Sequence, residues 1–184
     1  MNKRAYGFTI AELLIVIVVI ATLAAITIVA YNGITQNATN ATRIATGSEW
    51  VKVLQVYKGY EGVLPSQITG AANGTKFCLG TGFPVGGGGV ARCQNYNSTD
   101  SNAPAESDNA ALMTELRNKV GSLPNSKPIP AGGVVGPVLL ITSQTNIRVM
   151  IIVSGTYTAG GDCGGGFTVN WVGTNAASCV KAVL

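Results

Sequence analysis

Glu12 is a carboxylate in an apolar setting. It follows Gly7-Phe8-Thr9-Ile10-Ala11 and precedes a run from Leu13 to Ala30 relieved only by Thr22 and Thr27. That run is long enough to span a bilayer. An ionised side chain at the centre of such a helix costs about 2.5–3.5 kcal/mol on insertion scales and implies a partner. Cleavage after Gly7 would leave a charged amine on Phe8, about one helical turn from the Glu12 side chain. A buried amine and a buried carboxylate are each costly alone and tolerable as a hydrogen-bonded pair. The chemistry offered by this spacing is charge pairing.

Residues for catalysis are missing elsewhere. The chain has no histidine, which removes the commonest general base and the commonest metal ligand. No serine, cysteine or lysine can therefore be matched to a histidine base, so an enzyme is not expected and neither is a cofactor. Asp100, Glu106, Asp108 and Asp162 lack the D-x-[DN]-x-[DN]-G spacing of a calcium loop and are read as solvated loop charge. Gly86 to Gly89 lack the G-x-x-x-x-G-K-[ST] pattern of a phosphate loop. Lys52, Lys58, Lys76, Arg92 and Lys181 are dispersed, so no basic stripe supports nucleic-acid binding. Asn37, Asn40, Asn73 and Asn97 are formal N-x-[ST] matches, several of which arise by chance in a chain this rich in Asn and Thr.

Composition narrows the class further. Charged residues are 11% of the 184, against about 25% in ordinary soluble domains. So uncharged a surface suits repeated subunit packing or an extracellular polar coat. Of the formal net charge of +4, Lys3 and Arg4 supply two at the extreme N-terminus. Cys78, Cys93, Cys163 and Cys179 permit three connectivities. Pairing Cys78–Cys93 and Cys163–Cys179 closes two short loops, each contributing about 3 kcal/mol in the chain-entropy model. A zinc site is disfavoured, since there is neither a CxxC pair nor a histidine.

The basic leader Met1–Tyr6, the Gly7-Phe8 junction, Glu12 and the apolar run together resemble the prepilin signal of type IV pilins and the related pseudopilins. An ordinary secretory signal has an apolar core of only about 7–15 residues, and a plain membrane anchor has no use for Gly7-Phe8 or Glu12. The resemblance implies cleavage between Gly7 and Phe8 by prepilin peptidase and N-methylation of Phe8. It also implies pairing of Glu12 with the terminal amine of a neighbouring subunit, which sets the register of a filament. Lys3 and Arg4 keep the leader cytoplasmic and the remainder outside. The expected partners are other copies of the chain, the peptidase, membrane lipid before assembly and an assembly platform in the inner membrane. The expected location is a single-pass membrane precursor and then a cell-surface pilus serving adhesion, motility or DNA uptake. Alternatives are a pseudopilin of a secretion or competence machine, or a low-copy tip adhesin.

These residues need elements to carry them. Beyond Tyr31-Asn32-Gly33, Ile34, Ala38, Ala41, Ile44, Ala45, Ser48, Val51 and Leu54 recur at three- and four-residue spacing. Gly59, Gly62 and Pro65 are stop signals. One helix is expected from about Phe8 to Tyr60. Many major pilins carry a proline near the twenty-second mature residue; Val29 stands there, leaving Asn32-Gly33 or Ile26–Val29 as the place for any local break. Pro65 to Ala105 reads as loop, and Ala110 to Val120 as a short helix capped by Ser107 or Asp108. Val138–Ile141, Ile147–Val153 and Phe167–Val172 read as strands of a three- or four-stranded antiparallel meander. The expected fold is α+β, a pilin-like lollipop: leader 1–7, long helix 8–60 with 8–31 as membrane span or filament core, and a sheet head over 61–184. Many pilins have a disulfide-bounded loop near the C-terminus, and Cys163 to Cys179 occupies a similar place.

Overall fold

The computed structural model describes residues 9–83, 93, 109–125 and 136–183. Helix α1 runs unbroken over Ile10–Glu61, 52 residues, through both Ile26–Val29 and Asn32-Gly33. Its polar interruptions are absorbed locally. The Thr22 and Thr27 hydroxyls donate to the carbonyls of Val19 and Ala24 at 2.9 Å, and that of Thr35 donates to Tyr31 and Asn32 at 3.0 Å. Such back-bonding satisfies these three hydroxyls within the helix itself. The helix ends where Gly62 turns left-handed at φ 74°, its N–H donating to the Lys58 carbonyl at 2.8 Å.

The chain divides into two compact units, Met1–Ala38 and Thr39–Leu184, with α1 contributing to both. In the first, the large apolar side chains from Ile10 to Ile28 are exposed. The second is α+β. It adds helices α2 (Ser66–Thr69) and α3 (Ala110–Val120) and six strands: β1 (Lys76–Cys78), β2 (Val138–Ser143), β3 (Asn146–Ser154), β4 (Asp162–Gly164), β5 (Phe167–Val172) and β6 (Ala176–Ala182). The sheet is antiparallel with order β1-β2-β3-β6-β5-β4. The expected meander is therefore corrected: the last strand, β6, inserts between β3 and β5. Helix α3 is capped by Asn109, whose side chain accepts from the Leu112 N–H at 2.9 Å, in place of Ser107 or Asp108.

Alternation along the strands builds a core on each sheet face. Leu139, Ile141, Val149, Ile151, Phe167 and Cys179 pack with Trp50 and Leu54 of α1 and with Leu112 and Leu116 of α3. On the opposite face, Val138, Met150 and Val180 pack with Phe83, Cys78 and Cys93. The helix face toward the sheet matches the expected one at Ile44, Val51 and Leu54, which bury or pack on the core, and departs from it where Ala41 and Ala45 are exposed while Asn40, Gly47 and Trp50 are buried. Gly47 is there because nothing larger fits: a Cβ would lie 2.7 Å from Ile151 Cγ2 and 2.8 Å from Phe167 Cζ.

Two polar residues of α1 finish the sheet. Pairing of β3 with β2 stops at Met150–Val138, leaving Ile152 and Ser154 without a strand partner on that side. Asn40 takes both main-chain groups of Ser154, accepting from its N–H at 2.9 Å and donating to its carbonyl at 2.7 Å. The Arg43 guanidinium donates to the Ile152 carbonyl at 3.1 Å. Buried main-chain groups must find partners, and here helix side chains stand in for a missing strand.

Candidate functional site

The described chain opens on a reciprocal cap. Glu12 Oε2 accepts from the Thr9 N–H at 2.8 Å and from the Thr9 hydroxyl at 2.6 Å, while the Glu12 N–H donates to Thr9 Oγ1 at 3.3 Å. This is a capping box, T-x-x-E, which satisfies donors that a helix start would otherwise leave orphaned. The Glu12 carboxylate is thus held at the first turn of α1, next to the backbone of Thr9. Gly7 and Phe8, the expected cleavage and methylation positions, lie outside the described residues.

Downstream of Glu12 the helix presents an apolar surface all round, with Leu13 57%, Ile20 60% and Ile26 68% exposed. A surface this large does not remain in water unaided. The segment is long and apolar enough to cross a membrane. The prokaryotic N-terminal methylation motif matches residues 2–28. The chain carries a prepilin-type signal. It is the cleavage and methylation signal of type IV pilins and pseudopilins. The prepilin motif implies processing by prepilin peptidase. No curated protein and no solved structure matches the chain.

The remaining residues singled out in the sequence fall as follows. Cys78 is bonded to Cys93 and Cys163 to Cys179, one disulfide on each face of the sheet. Asp162 accepts from the Gly164 N–H at 2.7 Å, within β4 where its register with β5 shifts; Asp100, Glu106 and Asp108 lie outside the described residues. The Asn40 sequon is closed in the folded chain because the amide is committed to Ser154, and Asn97 lies outside the described residues. Lys181 donates to the Gly165 carbonyl at 2.6 Å and sits 5.6 Å from the Phe167 ring centroid.

One polar cluster had no sequence signal. Glu115 on α3 accepts from the Tyr57 hydroxyl at 2.7 Å, the Ser66 N–H at 2.9 Å and the Ser66 hydroxyl at 2.8 Å, joining α1, α2 and α3. Burial alone would raise its pKa. The Ser66 and Tyr57 hydrogen bonds, with Lys119 nearby, outweigh that and hold the carboxyl below the usual glutamate range. The same bond to Glu115, aided by burial, pushes the Tyr57 hydroxyl up to about 12. These groups tie α1, α2 and α3 together. Thr9 was not singled out in the sequence, although its T-x-x-E spacing with Glu12 is the capping-box pattern that could have found it.

Proposed function

We propose that this chain is the structural subunit of a type IV pilus. It is inserted in the membrane by α1, cleaved between Gly7 and Phe8, methylated on Phe8 and polymerised with copies of itself into a surface filament. The observation that carries this reading is the prepilin-type signal at residues 2–28 leading directly into an exposed apolar helix. Burying that helix surface against other copies supplies the driving force, at about 25 cal/mol per Å² of apolar area. Glu12 pairs with the Phe8 amine of a neighbour, so that assembly leaves no charge unmatched in the apolar core. Lipid covers the helix before assembly, and a platform in the inner membrane passes the subunit into the growing fibre. Adhesion, motility and DNA uptake are the activities such a filament serves.

Processing tests the reading directly. Gly7→Val places a branched side chain at the scissile bond, and full-length chain should accumulate in the membrane fraction. Normal cleavage of that variant would remove Gly7–Phe8 as the processing site.

A further inference from the structure

A cavity of about 320 Å³ opens in the unit Thr39–Leu184, where α1, α3 and the turn after β1 meet. That volume is within the range of small-molecule sites. Part of its lining is core: Trp50 of α1 and Met113 of α3 are 0% and 2% exposed. The rest is polar. Thr81 brings a hydroxyl, Asn125 an amide and Arg117 a guanidinium, all three on exposed residues, and the buried Gly80 brings main chain alone.

The fold holds these walls in place. The Leu79 N–H donates to the Pro137 carbonyl at 2.9 Å and Cys78 is disulfide-bonded, which ties the turn carrying Gly80 and Thr81 to the sheet. Helix α3 ends where Gly121 turns left-handed at φ 83°, its N–H donating to the Arg117 carbonyl at 2.9 Å, and the segment up to Asn125 continues the lining.

Among the described residues of the lining, Arg117 is the only charged one. The other charged side chains of α3 are committed: Glu115 to Tyr57 and Ser66, and Lys119 to Glu61 at 2.9 Å. Among the described residues, Arg117 makes neither an ion pair nor a side-chain hydrogen bond. The helix dipole favours a cation in the last turn of α3, but it does not account for a cavity with a hydroxyl and an amide beside that cation.

We propose that this cavity binds a small hydroxylated carboxylate, a sugar acid of the hexuronate kind. The guanidinium is a planar fork that matches a carboxylate with two parallel hydrogen bonds. One cation balances one carboxylate, whereas a phosphate monoester brings about −1.5 to −2 charges at neutral pH. Thr81 and Asn125 can each donate to and accept from sugar hydroxyls, and Trp50 and Met113 give the ring an apolar wall. All of this lining lies in one unit, so binding is expected of the unpolymerised chain, and failure of the filament reading would leave it standing.

The test uses the full chain in detergent with Trp171→Phe, which leaves Trp50 as its sole tryptophan. Glucuronate should change Trp50 emission saturably and shift the Arg117 side-chain NMR signal; neutral glucose should do neither. Arg117→Gln should weaken glucuronate binding by about tenfold or more, through loss of charge-assisted hydrogen bonds. No response to glucuronate in either readout overturns the site, and so does an equal response to glucose. That comparison leaves the cavity unaltered, so it decides the matter even if Arg117→Gln perturbs the fold. Undiminished affinity in Arg117→Gln refutes the carboxylate contact, and acetate binding as tightly as glucuronate refutes the sugar.

Discussion

In this chain the Glu12 carboxylate is already engaged, by the N–H and hydroxyl of Thr9. Capping interactions of this kind are worth about 1 kcal/mol. They give the carboxylate a local role that has nothing to do with a neighbour, and substitution can separate the two. Glu12→Gln retains an oxygen for the Thr9 N–H but has no charge to offer an amine. If charge pairing with the Phe8 amine sets filament register, Glu12→Gln and Glu12→Ala should both be cleaved normally and both assemble poorly, as read by immunoblot and by filament yield. Wild-type filament yield from Glu12→Gln would reduce Glu12 to a helix cap.

At the scale of elements, the fit of α1 to the sheet depends on one glycine. Gly47→Ala would improve helix propensity by up to about 1 kcal/mol. It would also drive a methyl group into Ile151 and Phe167, and overpacking of that kind costs about 1–3 kcal/mol. Net destabilisation is expected for Gly47→Ala, and none for Gly59→Ala, whose Cβ would meet open space. Denaturant unfolding in detergent, followed by Trp50 fluorescence, ranks the two. A second element-level device is the Glu115 junction. Its folded pKa is depressed, so its contribution is present above the ordinary glutamate range and lost as pH falls through the lower folded value. The unfolding midpoint of the wild type should drop on acidification through that range, and Glu115→Gln should flatten the drop. An identical acid limb in the two proteins would contradict the junction. Tyr57 works the other way: its contribution is complete below the ordinary tyrosine value and lost as pH rises through about 12.

For the whole molecule, what the sequence showed and what it hid have physical causes. Helix α1 was legible because its first half is continuously apolar and its stop is marked by Gly62 and Pro65. The strands β2, β3 and β5 were legible because they are dense in Val, Ile and aromatics. Strand β6, Ala-Ala-Ser-Cys-Val-Lys-Ala, has mostly small residues and no β-branched run, so only its neighbours on either side make it a strand. The packed face of α1 was legible at Ile44, Val51 and Leu54 and misread at Ala41 and Ala45, because alanine is neutral evidence for burial, whereas Asn40 and Gly47 look like surface and breaker. Their burial follows from a sheet edge and a phenylalanine more than a hundred residues away. The Thr9–Glu12 cap went unread, although its T-x-x-E pattern lies within four consecutive residues.

The measurement that bears most directly on the account is the intact mass of the chain in material sheared from cells, with electron microscopy of the same fraction. A chain beginning at Phe8, one methyl group heavier and, with both disulfides formed, four hydrogens lighter, found in long filaments, is the predicted result. An N-terminus still carrying residues 1–7, or a processed chain confined to the membrane with no filaments, would contradict it.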